Sequence, residues 1–154
     1  MVHQILEMPP LSSLSVSAAT LSPAFAPATQ AYAATHLGSP AAVATADADH
    51  DGQANLLEYA LGTAPQTAGA SSVLLDTATI GQSKYLRLTV PKNAAAPDMT
   101  FTVQVTGTLE APTSWSSAGL IIESSTSTQL IVRDNVPAGP GVRRFMRVRV
   151  EQAP

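Results

Sequence analysis

The chain contains no cysteine. That excludes disulfides, zinc–thiolate sites and thiol catalysis. Charge is also scarce: 12% of the 154 residues are Asp, Glu, Lys or Arg, about half the usual share for a soluble domain. No Lys or Arg precedes Lys84, and the eight basic residues that follow are too few and too clustered to indicate a nucleic-acid partner. No apolar run approaches the roughly 20 residues of a membrane span, so none is expected. The opening MVHQILEMPP has neither a basic start nor a long apolar stretch, so it is not expected to be a signal peptide. An export signal would lie upstream. Aromatic residues are few: one Trp, three Tyr and three Phe. There is no G-x-S-x-G, no H-E-x-x-H and no phosphate-cradling glycine loop. His3, His36 and His50 read as ordinary positions, and no catalytic residue is expected.

What is present is a chain that is 45% hydrophobic, filled out with Ala, Ser, Thr and 12 prolines. A packed core with many turns follows. From Lys84 the hydrophobic pattern has period two. Leu86, Leu88 and Val90 alternate with Tyr85, Arg87 and Thr89; Phe101, Val103 and Val105 alternate with threonines and Gln104. GLIIE and QLIVRD, parted by a polar SSTSTQ turn, are two more strand candidates. RRFMRVRV sets Met146, Val148 and Val150 against Phe145, Arg147 and Arg149. Short alternating strands with Pro- and Gly-rich punctuation predict an all-β, antiparallel β-sandwich over 66–154. The strand arginines are expected on solvated positions. Residues 1–10 read as an irregular leader. Leu14 and Val16 alternate with serines as in a short strand, Tyr32 could centre another, and residues 37–46 read as a linker.

The acids are concentrated. DADHDGQANLLE puts four of the 11 acidic residues into twelve positions. Counted from Asp47, carboxylates stand at positions 1, 3 and 5 (Asp47, Asp49, Asp51) and 12 (Glu58), with Gly52 at 6, Gln53 at 7 and Asn55 at 9. This is the spacing of an EF-hand calcium loop. Calcium takes about six to eight oxygens, and alternate side chains of a tight loop converge on one point. Gly52 allows the sharp turn. Gln53 would offer its backbone carbonyl, Asn55 would coordinate directly or through water, and Glu58 would give two oxygens. His50, at position 4, is expected to face solvent. The same acids would also suit a solvated turn capping the next helix, or a loop without affinity. NLLEYAL predicts about two helical turns with Leu56, Leu57, Ala60 and Leu61 inward, stopped by Gly62 and Pro65. No good entering helix precedes the loop, and Ala54 at position 8 is small, so a lone loop is expected rather than a paired hand.

DADHDGQANLLEYALGTAP (47–65) resembles the EF-hand-like loops of secreted bacterial multidomain proteins, related to dockerin and thrombospondin type 3 repeats. That resemblance implies Asp47, Asp49, Asp51, Asn55 and Glu58 as calcium ligands. LSSLSVSAATLSPAFAPATQAYAATH resembles the start of a bacterial cadherin-like β-sandwich domain, with Ala19 in place of a glycine. Residues 84–150 are loosely similar to the β-rich region that follows such loops. The organisation expected is an N-terminal segment with its linker (1–46), a calcium loop and short helix (47–65) and a C-terminal sandwich (66–154). The function expected is a non-catalytic, calcium-binding extracellular or cell-surface module, structural or adhesive, within a larger bacterial protein. Surface polysaccharide or neighbouring domains are its further expected partners. The alternative is a carbohydrate-binding accessory module of a polysaccharide-degrading protein, with Trp115 as the candidate platform.

Overall fold

Alternation of apolar and polar side chains lets a strand bury one face and wet the other, and the period-two stretches do this. In the computed structural model, which describes residues 2–7, 15–18, 29–110 and 114–153, eight strands and two short helices are formed. The elements are β1 (Val2–Glu7), β2 (Ser15–Ala18), α1 (Gln30–His36), α2 (Asn55–Leu61), β3 (Leu74–Ile80), β4 (Ser83–Pro91), β5 (Met99–Thr106), β6 (Leu120–Ser125), β7 (Gln129–Ala138) and β8 (Phe145–Gln152). They build two antiparallel four-stranded sheets, ordered β2-β1-β8-β5 and β3-β4-β7-β6.

The inward rows meet in one core. Leu86, Leu88, Val90, Leu130 and Val132 come from one sheet, and Val103, Val105, Met146, Val148 and Val150 from the other. Each such side chain contributes about 1.5–3 kcal/mol relative to leaving it exposed. The all-β sandwich reading is therefore observed.

The outward arginines are not simply solvated. Asp76, Arg87, Glu123 and Arg133 form a chain of ion pairs across β3, β4, β6 and β7. Arg144 grips the fully buried Asp134 with two hydrogen bonds of 2.5 and 2.9 Å. Arg147 donates to Gln104 Oε1 and lies against the Trp115 ring, 4.4 Å from its centroid.

The N-terminal half differs from its reading in three places. Part of the expected leader is β1, paired with β8 from Val2↔Val150 to Glu7↔Phe145. Tyr32 sits in helix α1, not in a strand. The expected linker holds two turns, closed by Ala42 N–H to Ser39 O and Ala46 N–H to Val43 O, and buries Ala44. Val16 falls in β2, while Leu14, Pro23 and Pro27 lie outside the described residues.

Candidate metal centre

The loop from Asp47 to Glu58 is fixed at both ends by backbone hydrogen bonds. Asn55 N–H donates to Ala46 O at 2.8 Å, and Leu56 N–H to Ala44 O at 2.9 Å. These are orphan donors of the α2 N-terminus, which carries no side-chain cap. The turn backbone that leads into the loop thus does what a cap would do, and residues 37–46 hold no helix. At the other end Gly62 takes the left-handed conformation (φ +79°), and its N–H and that of Thr63 donate to Glu58 O. Asn93 satisfies the next two carbonyls: its Nδ2 donates to Tyr59 O and its N–H to Ala60 O.

All seven α2 residues are buried. Leu56, Leu57, Ala60 and Leu61 join the same core as the two sheets. Tyr59 is packed as well, and its Oη donates to Asp98 at 2.9 Å. Glu58 rides on this buried helix, so its carboxylate is carried into the interior at 1% exposure.

Inside the loop the three aspartates converge. Asp47, Asp49 and Asp51 present oxygens that all lie within 4.8 Å of one another. Each also holds the backbone. Asp47 accepts from Asp51 N–H and Gly52 N–H, Asp49 from Asp51 N–H, and Asp51 from Gln53 N–H. Gly52 has φ +91°, the left-handed geometry its position requires. His50 is also left-handed (φ +65°) and faces solvent, as its position 4 suggests.

Within the loop, four buried side-chain oxygens are left without a hydrogen-bond partner: Asp49 Oδ2, Gln53 Oε1, Asn55 Oδ1 and Glu58 Oε2. They stand at positions 3, 7, 9 and 12 of the loop. Their partner groups are turned the other way. Asn55 Nδ2 donates to Val43 O, and Gln53 Nε2 to Asp51 Oδ2. Buried acceptors without donors are costly, and native structures contain few.

The electrostatics agree. Burial first, and then the Asp49 and Asp51 charges, together push the Glu58 carboxyl up from 4.5 to about 7. Burial also acts upward on Asp51, but N–H donation from Gly69 and Gln53 outweighs it and holds this group low. Tyr32 is pushed up to about 12, by burial and then by Glu58. Such a set of repelling carboxylates is stabilised by a positive charge among them.

The donor set is all oxygen, with no cysteine, and the loop's histidine points outward. That chemistry fits a hard cation such as calcium rather than zinc. One detail departs from the sequence reading: the Gln53 side chain turns inward and is 3% exposed, so its Oε1 is itself a free acceptor. Two supporting groups had no sequence signal. Gly69 N–H reaches back to Asp51 Oδ2 at 3.0 Å, and Thr63 Oγ1 lies 3.4 Å from Glu58 Oε1. Away from the loop, Trp115 is half-buried on the outer face of β5 and β8, with its ring against Arg147.

No family model, curated protein or solved structure matches the chain. The loop's reading therefore stands on its own residues.

Proposed function

We propose that this chain is a non-catalytic module whose Asp47–Glu58 loop binds one calcium ion and so fixes helix α2 in the sandwich core. One observation carries the reading: four partnerless buried oxygens at loop positions 3, 7, 9 and 12, beside three converging aspartates. Asp47, Asp49, Asp51, Asn55 and Glu58 would hold the ion, with Gln53 contributing an oxygen. The ion supplies positive charge where Glu58 is otherwise destabilised. The protein's own part is to pre-set the oxygens through the Asx-type hydrogen bonds to Asp51, Gly52 and Gln53.

The role is structural or adhesive, at a cell surface or in a secreted protein. Low millimolar free calcium suits a lone loop with a dissociation constant on the order of 10⁻⁴–10⁻³ M. At a concentration of about 100 dissociation constants, binding to the folded state alone adds about 2.7 kcal/mol of stability. Neighbouring domains or surface polysaccharide are the partners such a module would hold in register.

Calorimetric titration tests the binding. One calcium per chain is expected, with little heat from magnesium. Asp49→Ala should abolish the calcium isotherm. An unchanged isotherm in that variant would remove the loop from consideration.

A further inference from the structure

Strands β5 and β6 are edges of their respective sheets, and these two edges approach each other. Between them runs a cleft of about 490 Å³, within the usual range for small-ligand sites. Its floor is core surface, including Val103, Leu130 and Val132. Its rim includes Phe101, Leu120 and Ile122, and Ile122 is 65% exposed. That is the most exposed large hydrophobic side chain among the described residues.

One ionisable group lines the cleft: Lys92. Its ammonium lies 5.7 Å from the Phe101 ring centroid and donates to Thr126 O at 2.8 Å. An ammonium has three donors. Among the described residues no carboxylate lies within ion-pair distance of it. The acids nearest along β6 and β7 are already committed: Glu123 to Arg133, and Asp134 to Arg144. An unneutralised cation at an apolar cleft is complementary to a molecule with an apolar body and one anionic end.

We propose that the β5–β6 cleft binds a small amphiphilic carboxylate, its chain between the sheets and its head on Lys92. The site is separate from the Asp47–Glu58 loop and does not depend on what that loop holds. The probe is decanoate, kept below its micelle concentration, with decanol as the uncharged control. Binding is read by amide and methyl chemical shifts in the full chain.

One saturable site is expected, with shifts concentrated at Phe101, Val103, Leu120 and Ile122. Lys92→Gln keeps a donor for Thr126 O but removes the charge. It should weaken decanoate about tenfold, the size of one charge-assisted contact, and leave decanol unchanged. Ile122→Asp, at an exposed position that should not disturb folding, should weaken decanoate by more. Thermal unfolding without ligand checks that both variants fold as the wild type does. No saturable shift at the cleft would overturn the proposal. So would equal decanoate affinity in wild type and Lys92→Gln, which would leave only non-specific apolar binding.

Discussion

Glu58 concentrates the chemistry of this molecule in one side chain. It is buried, faces three aspartates and has one oxygen without a partner. Glu58→Gln keeps the shape and removes the charge. With calcium chelated, the variant should be at least as stable as the wild type in urea unfolding, because a repelled buried charge has gone. With calcium present it should lose the stabilisation that the wild type gains. The pH response follows from the same group. The folded protein keeps a proton on Glu58 up to about pH 7, whereas the unfolded chain releases it near 4.5. Between those values the native state binds more protons, so stability of the calcium-free protein should fall as pH rises. Glu58→Gln should flatten that slope, as should calcium in the wild type. Unfolding midpoints across the window check this. The convergence of Asp47, Asp49 and Asp51 was legible in the sequence, because alternate side chains of a tight loop with a glycine at its turn point to one place. The inward turn of Gln53 was not, since an amide at position 7 fits either role. Nor was the Gly69 contact, which uses a backbone N–H that any residue carries.

At the level of elements, strands β4, β5, β7 and β8 were readable because buried and less buried residues alternate along most of each. Strand β3 gave no such signal: it is an edge strand with Leu74 and Ile80 exposed and only Ala78 buried. It is set by its partner β4, through a turn whose first residue, Gly81, has φ +61°. Helix α1 was missed for a related reason. Its seven residues bury only Ala33, so the sequence shows no helical stripe. The apolar face of α2 (Leu56, Leu57, Ala60 and Leu61) is the one its spacing predicts. What the sequence did not show is that the polar residues of α2 are buried too, since that depends on Asn93 and the 44–46 backbone closing around it. The Asp134–Arg144 pair is also invisible locally, because its members lie ten residues apart across the β7–β8 turn. Arg144→Met would leave a fully buried carboxylate with Val136 N–H as its remaining hydrogen bond. A loss of about 3–5 kcal/mol is expected, measured by urea unfolding.

On the scale of the whole molecule, the loop is not an appendage. Its helix shares one hydrophobic core with both sheets. Tyr59 reaches Asp98 beside β5, and Asp98 accepts from Gln152 at the end of β8. Gln152 in turn reaches Thr29, just before α1. A cation held by Glu58 should therefore stabilise the sandwich as a unit rather than the loop alone. Trp115 provides the remote reporter, since it sits against Arg147 on β8. The most direct measurement is thermal unfolding in excess calcium and in chelator, followed by Trp115 fluorescence, for wild type and Asp49→Ala. Saturating calcium should raise the wild-type midpoint by roughly 5–10 °C, in one transition, and leave Asp49→Ala where chelator leaves it. Coincident wild-type curves in calcium and chelator would contradict a structural calcium site in this protein.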